Sequence, residues 1–310
     1  MTEKKNETPF IKAVGGQTRL KVLVFGDMGT WKTRMGLHLP SPTVIDMEHG
    51  TDIYANEFDF YVKHTIDPDE CMGAVNWLLN NKHDYRTFIH DSITIYWAAL
   101  QDKFSSIFAH RNRGKAGDKI EYYDIQPSDW KVIKAEFKRY LRKILKLDMN
   151  VWVTAHQKKL YADGDFMKVI GDTFDGEKGL GYMFDIVLQS FTKGGEPYAK
   201  ALKDRTFKLP KGDFEFKYEV IAKCFGEDSL NRKAEYIPLA TSTQIHELKN
   251  WYVNALFLID EPKRFKLLSR YEVETEEDLT QTQAKEILDK FEESFNKLKA
   301  KEKPSENKLG

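Results

Sequence analysis

Only two cysteines are present, Cys71 and Cys224, too few for a disulfide framework, so a reducing compartment is the expected home. No apolar run approaches the roughly 18 residues needed to span a bilayer. The opening "MTEKKNETPF" lacks the apolar core of a signal peptide. A soluble, cytoplasmic protein without membrane attachment is the expectation. An excess of one charge is also missing, since 48 Lys+Arg balance 48 Asp+Glu. A neutral chain does not coat duplex DNA by bulk charge, so any nucleic-acid contact has to come from a local patch or from assembly. No internal repeat is found.

What is present is the material of a globular α/β protein. With 310 residues, 41% hydrophobic and 13% aromatic, the chain can build one core of about 200 residues plus a small appendage. After a polar tail over 1–18, strand-like and helix-like segments alternate, the pattern of a mostly parallel sheet flanked by helices. "LKVLVF", "PTVIDME", "FDFYVKH", "YRTFIHDS" and "NVWVTAHQ" read as strands. Helices are expected at "DPDECMGAVNWLLNN", with Asp67 as N-cap and Glu70 completing a capping box, at "ITIYWAALQDKFSSIFAH" and at "DWKVIKAEFKRYLRKILKL". "DIVLQSF", "YAKALKDRTFKL" and "FEFKYEVIAK" read as later strands closing the sheet. The core is placed at 19–226, a linker at 227–240, a helical module at 241–302 and a disordered tail at 303–310.

The stretch "GDMGTWKT", Gly26 to Thr33, follows the first strand and fits G-x-x-x-x-G-K-[ST] except that Trp31 stands where the pattern has glycine. A strand, a tight turn and a helix N-terminus make an anion cradle. The backbone of Gly26, Asp27, Met28, Gly29, Thr30 and Trp31 would face the phosphates, Lys32 would reach the terminal ones, and the Thr33 hydroxyl would ligate Mg2+. Trp31 can serve if its side chain points away from the nucleotide and its dihedrals suit a residue with a Cβ. In an open parallel sheet, ligands bind beyond the carboxyl ends of the strands. There "TVIDMEHG" delivers Asp46 and Glu48, "TFIHDS" delivers Asp91 and Ser92, and "VWVTAHQ" delivers His156 and Gln157. Asp91 can hold Mg2+ through water, Glu48 can take a proton from an attacking water, and Gln157 can sense a terminal phosphate. The plainer alternatives are a helix cap for Asp91, a turn carboxylate for Glu48, a strand-to-strand bond for Gln157 and a sheet-edge histidine for His156.

These segments, in this order, resemble RecA-type ATPases: "VIDMEHGTDIY" the segment with the catalytic glutamate, "FIHDSIT" the Walker B strand, "VWVTAHQ" the strand ending in the sensor glutamine. With "FDIVLQS" and "LKDRTFKLP" the likeness extends over roughly 20–225, and it is to phage-encoded RecA-like nucleotide-binding proteins, some of which act in single-strand annealing and recombination. The resemblance implies a RecA-like P-loop NTPase core, ATP and Mg2+ as cofactors, and a homo-oligomer, ring or filament, with ATP at its interfaces. It also implies that Lys203 and Arg205, which alternation puts on one face of a strand, reach a neighbour's ATP. The helical end resembles tails of phage recombination proteins, which would make a single-strand-binding protein a possible partner and the bacterial host cytoplasm the location.

RecA-like cores present single-stranded DNA to loops beyond the strands carrying Asp91 and Gln157. In the first, Arg111, Arg113, Lys115 and Lys119 precede Tyr122 and Tyr123, cations for phosphates beside aromatics for stacking. The second, Lys158 to Lys178, mixes Lys158, Lys159, Tyr161, Phe166 and Lys168 with many acids. The leading expectation is an ATPase that binds single-stranded DNA and assists recombination or annealing. Its rivals are a nucleotide-dependent oligomeric interaction protein that recruits replication or repair partners, and a P-loop kinase for a small metabolite.

Overall fold

The computed structural model describes residues 19–111, 125–163, 165–254, 257–271 and 273–302. They belong to two compact units, Met1–Val75 with Asp84–Ala234, and Asn76–His83 with Glu235–Gly310.

The first unit is built on one sheet. Its strands are β1 (Lys21–Gly26), β2 (Pro42–Asp46), β3 (Tyr61–His64), β4 (Thr87–Asp91), β5 (Asn150–Ala162), β6 (Asp165–Phe174), β7 (Ile186–Lys193), β8 (Glu196–Asp204) and β9 (Asp213–Glu215). Their order is β3-β2-β4-β5-β1-β7-β8-β9, with β6 paired to β5. The six strands from β3 to β7 run parallel. Hairpins add β6, β8 and β9 antiparallel. Strands covered on both faces need no polar side, which is why β1 reads as the near-continuous apolar "KVLVFG". One strand, β5, separates β1 from β4, so the carboxyl end of β5 lies between the Gly26 loop and Asp91.

The helices of this unit are α1 (Lys32–Leu37), α2 (Pro68–Asn80), which runs on into the second unit, α3 (Ile93–Arg111), α4 (Asp129–Lys146), α5 (Leu180–Met183), α6 (Tyr218–Phe225) and α7 (Glu227–Asn231). Val22, Val24, Trp152, Leu188, Phe216 and Ile221 share one buried cluster with Met35 and Leu37 of α1. Between α3 and α4, Tyr96 stacks on Tyr140 at 4.0 Å, both buried.

Four expectations need correction. "FEFKYEVIAK" holds only the short β9 and then becomes α6, because Tyr218, Ile221, Ala222 and Phe225 recur at helical spacing and pack into the core where the polar–apolar alternation stops. The stretch from Lys158 is no open loop. It is a β5–β6 hairpin, tied by Lys158–Asp175 at 2.9 Å and Lys159–Asp172 at 2.8 Å. At α2, Asp67 accepts from the Asp69 N–H at 2.8 Å, while Glu70 leaves the capping box to pair with Lys63 at 2.9 Å. Residues 227–231, read as linker, form α7 and bury Leu230 in the same cluster.

The second unit gathers α8 (Ser242–Tyr252), α9 (Glu261–Ser269) and α10 (Gln281–Glu302) around Leu248, Leu268, Leu279 and Ile287. Thr241 and Gln244 close a capping box on α8. The Arg264 guanidinium grips the fully buried Glu276 carboxylate with two bonds of 2.7 Å.

Candidate active site

The Gly26–Thr33 loop joins β1 to α1 over the carboxyl end of the sheet. Glycine is required at its start. A Cβ on Gly26 would lie 2.6 Å from Thr30 Oγ1 and closer still to Ser190 Oγ and its carbonyl oxygen. Ser190, on β7, bonds to Thr30 Oγ1 at 2.8 Å and so clips the loop to the sheet. Lys32 folds back over the loop and donates to the carbonyls of Gly26 (3.0 Å) and Asp27 (2.7 Å). Burial lowers its pKa, and Asp91, Glu48 and Asp27 partly restore it.

Trp31 does not have the dihedrals expected of a residue with a Cβ. It sits in the left-handed region at φ 67°, ψ 15°, which costs a non-glycine residue about 1–2 kcal/mol. The loop therefore keeps the geometry that glycine usually serves, with tryptophan in it. The indole is 39% exposed, and the Arg34 guanidinium lies 5.0 Å from its ring centre. Arg34 is itself held by both carboxylate oxygens of Glu57 and stands 5.4 Å from the Phe58 ring.

One face of β5 supplies much of the remaining site, because alternate residues share a face. Trp152 donates its indole N–H to the Lys32 carbonyl at 2.9 Å and buttresses α1. Thr154 donates to Asp91 Oδ1. His156 Nε2 meets Glu48 Oε1 at 2.7 Å. Asp91 also accepts from Thr33 Oγ1 at 2.7 Å, which joins the loop to β4. Burial raises the Asp91 carboxyl to about 6 despite the two hydroxyl donors. The two acids after β2 divide by burial. Asp46 is enclosed and saturated by the Glu48 N–H, the Thr51 N–H and the Thr51 hydroxyl. It shapes the turn, and Glu48 faces the cleft. The His156 hydrogen bond holds the Glu48 pKa below its ordinary value, and the same bond raises that of His156. Gln157 accepts from Gln189 Nε2 at 3.1 Å.

A cleft of about 440 Å³ brings together Gly26 through Arg34, Glu48, Tyr54, Asp91, His156 and Gln157. It includes the loop residues and Glu48, Asp91, His156 and Gln157 singled out above, and leaves out the buried Asp46 and Ser92. Trp152, Thr154, Ser190, Arg34, Tyr54 and Gln189 were missed. The alternation in "VWVTAHQ" could have found the first two, whereas Ser190 and Gln189 carry no local signal.

Lys203 and Arg205 are elsewhere. Asp204 pairs with Ile186, which pairs with Val22. This sets them near the amino end of β1, four residues and roughly 13 Å of strand from Gly26. The Lys203 ammonium donates to the carbonyls of Gly181 (3.0 Å), Tyr182 (3.1 Å) and Phe184 at the end of α5. Arg205 is exposed, with Asp185 at 3.6 Å. Of the residues expected to contact DNA, Arg111 ends α3 with its guanidinium 6.0 Å from the Phe108 ring. Arg113, Lys115, Lys119, Tyr122 and Tyr123 lie outside the described residues.

The donor set fits a Mg2+–triphosphate. Thr33 and Asp91 offer hard oxygens side by side, and a carboxylate disfavoured by burial gains from a cation. Among the described residues no group of three or more His, Cys, Asp or Glu could hold a metal. Two protein oxygens suit Mg2+, which keeps phosphates and waters around it. When bound it would neutralise phosphate charge. Lys32 and the loop N–H groups would orient the phosphates, and Glu48, which lines the cleft, would accept a proton from water. A family model described as an AAA domain matches residues 18–210. No curated protein matches the chain.

Proposed function

We propose, on the premise that this chain belongs to the AAA-domain family of P-loop NTPases, that it binds ATP with Mg2+ and hydrolyses it in the service of a single-stranded DNA transaction. The observation that carries the nucleotide part is the 2.7 Å bond between Thr33 and Asp91, beside Lys32 and facing Glu48 in one cleft. Those four groups answer the needs of phosphoryl transfer to water: a phosphate cation, a metal hydroxyl, a metal carboxylate and a base. ATP held this way is hydrolysed slowly while Glu48 stays bonded to His156, and a ligand that parts the pair would speed it.

The DNA part rests on the cations and tyrosines of 111–123 and on the likeness of the ordered motifs to phage recombination ATPases. An oligomer with ATP between subunits belongs to the same reading, and it is supported by Arg205, exposed at the sheet end away from its own loop, where it would reach a neighbour's phosphates rather than its own. Annealing or recombination is the task this combination serves.

The test is Mg2+-dependent ATP hydrolysis with and without single-stranded DNA, beside Lys32→Ala. Turnover that rises with DNA and vanishes in the variant is the expected result. A parent protein that binds no ATP by calorimetry refutes the nucleotide site. ATP turnover indifferent to DNA at every salt concentration removes the DNA role and favours a nucleotide-dependent interaction protein.

A further inference from the structure

The cleft has two kinds of lining. Lys32, Thr33, Asp91, Glu48 and the loop backbone are polar and answer a triphosphate, as the proposed function requires. Trp31 and Tyr54 add flat aromatic surface that phosphates do not use. Trp31 is the harder of the two to explain. Its backbone is left-handed, where glycine alone is free of strain. Strained residues cluster at functional sites, and of the left-handed non-glycine residues described, Ser41, His49, Phe207 and Leu258 lie outside the cleft while Trp31 lines it. Core packing gives no reason for this one: the indole is 39% exposed and stands outside the buried clusters. Its orientation is nonetheless held, since Arg34 lies against the ring and is fixed in turn by Glu57 and Phe58.

The geometry points to Trp31 as the platform on which the base of the bound nucleotide stacks, with Arg34 steadying the indole. The loop thus reads the nucleoside as well as the phosphates. The ligand class is a purine nucleoside triphosphate, whose two fused rings cover more of an indole than a pyrimidine does. This rests on the ATP reading of the same cleft, and the experiment separates the two.

Calorimetry on the full chain compares Mg-ATP, Mg-CTP and Mg-tripolyphosphate, which has the phosphates and no base. The parent should bind ATP more tightly than CTP or tripolyphosphate. Trp31→Gly, which suits the left-handed backbone, should bind tripolyphosphate as the parent does and lose about tenfold in ATP affinity, the scale of one base–aromatic stack. Trp31→Phe keeps a ring and should retain most of the preference, and the ATP-induced change in the parent's tryptophan fluorescence should shrink in it. An unchanged ATP-to-tripolyphosphate ratio in Trp31→Gly overturns the inference. So does tighter binding of both ligands, which would make the indole an obstruction. A parent that binds neither ligand overturns the nucleotide site and this inference with it.

Discussion

Asp91→Asn should make the metal-free protein more stable while abolishing its binding of Mg-nucleotide. Burial lifts the Asp91 carboxyl from 3.8 to about 6. Two units at about 1.36 kcal/mol each put the cost of ionising it in the fold at about 3 kcal/mol. Asparagine has no charge to bury but only one carbonyl for Thr33 and Thr154, which both donate to Asp91. Losing one of those hydrogen bonds returns about 1 kcal/mol. The net gain is about 2 kcal/mol, or roughly 4–8 °C in a unit of this size. Its sign against pH is fixed. Well below 3.8 the carboxyl is protonated folded and unfolded, and the parent has its full stability from this group. As pH rises, the unfolded chain ionises first, and that stability is lost through about 6. The advantage of Asn should therefore grow across this window and level off above it. Urea unfolding in EDTA, at several pH values from acid to mildly alkaline, measures it, with calorimetry for Mg-ATP alongside. A variant less stable than the parent at alkaline pH, or an equal advantage at both ends, would refute the reasoning.

Glu48→Gln should lower hydrolysis by about 10²–10⁴-fold with ATP affinity within a few-fold of the parent, read by phosphate release and calorimetry; parent-rate turnover would remove Glu48 from the base role. Arg205→Ala should keep ATP binding and lose at least about 10³-fold in turnover, and mixing it with Glu48→Gln should restore part of the activity through mixed interfaces. Lys203→Ala should instead lower the melting temperature, since the carbonyls of Gly181, Tyr182 and Phe184 lose their donor. Gly26→Ala should destabilise by about 1–3 kcal/mol in urea, because its Cβ meets Thr30 and Ser190 on the adjoining β7. Replacing Arg111, Arg113 and Lys115 together should reduce the salt slope of single-strand binding by about 2 and leave ATP affinity unchanged.

Much of the candidate site was legible because its signals are local. The run "LKVLVF" directly before "GDMGTWKT", the acids that follow "TVI" and "TFIH" and the helical spacing in "DWKVIKAEFKRYLRKILKL" are each written within one short stretch of chain. Backbone periodicity carries such signals without tertiary help. The sequence by itself thus determined an α/β sheet with a glycine loop after its first strand, and that Glu48 and Asp91 stand at strand ends, whereas His156 and Gln157 lie within β5, which runs on to Ala162. It also determined the helical character of the chain beyond residue 241.

Tertiary structure decided what each of those groups does. Asp46 and Glu48 are two residues apart and chemically alike, and only the packing of Thr51 against the first makes it a turn acid and leaves the second to the cleft. "FEFKYEVIAK" carries both periods, and the core chose the helix for 218–225 because it buries Ile221 and Ala222. Lys203 looked like half of a free basic pair until the end of α5 came within reach of its ammonium. Trp31 became informative only when its φ was known, since nothing in "GTWKT" says whether the loop bends to suit tryptophan or tryptophan bends to suit the loop. The shared cause is sequence distance. Thr154 meets Asp91 across 63 residues and Ser190 meets Thr30 across 160, and contacts that far apart are chosen by which strands lie side by side, which no local pattern encodes.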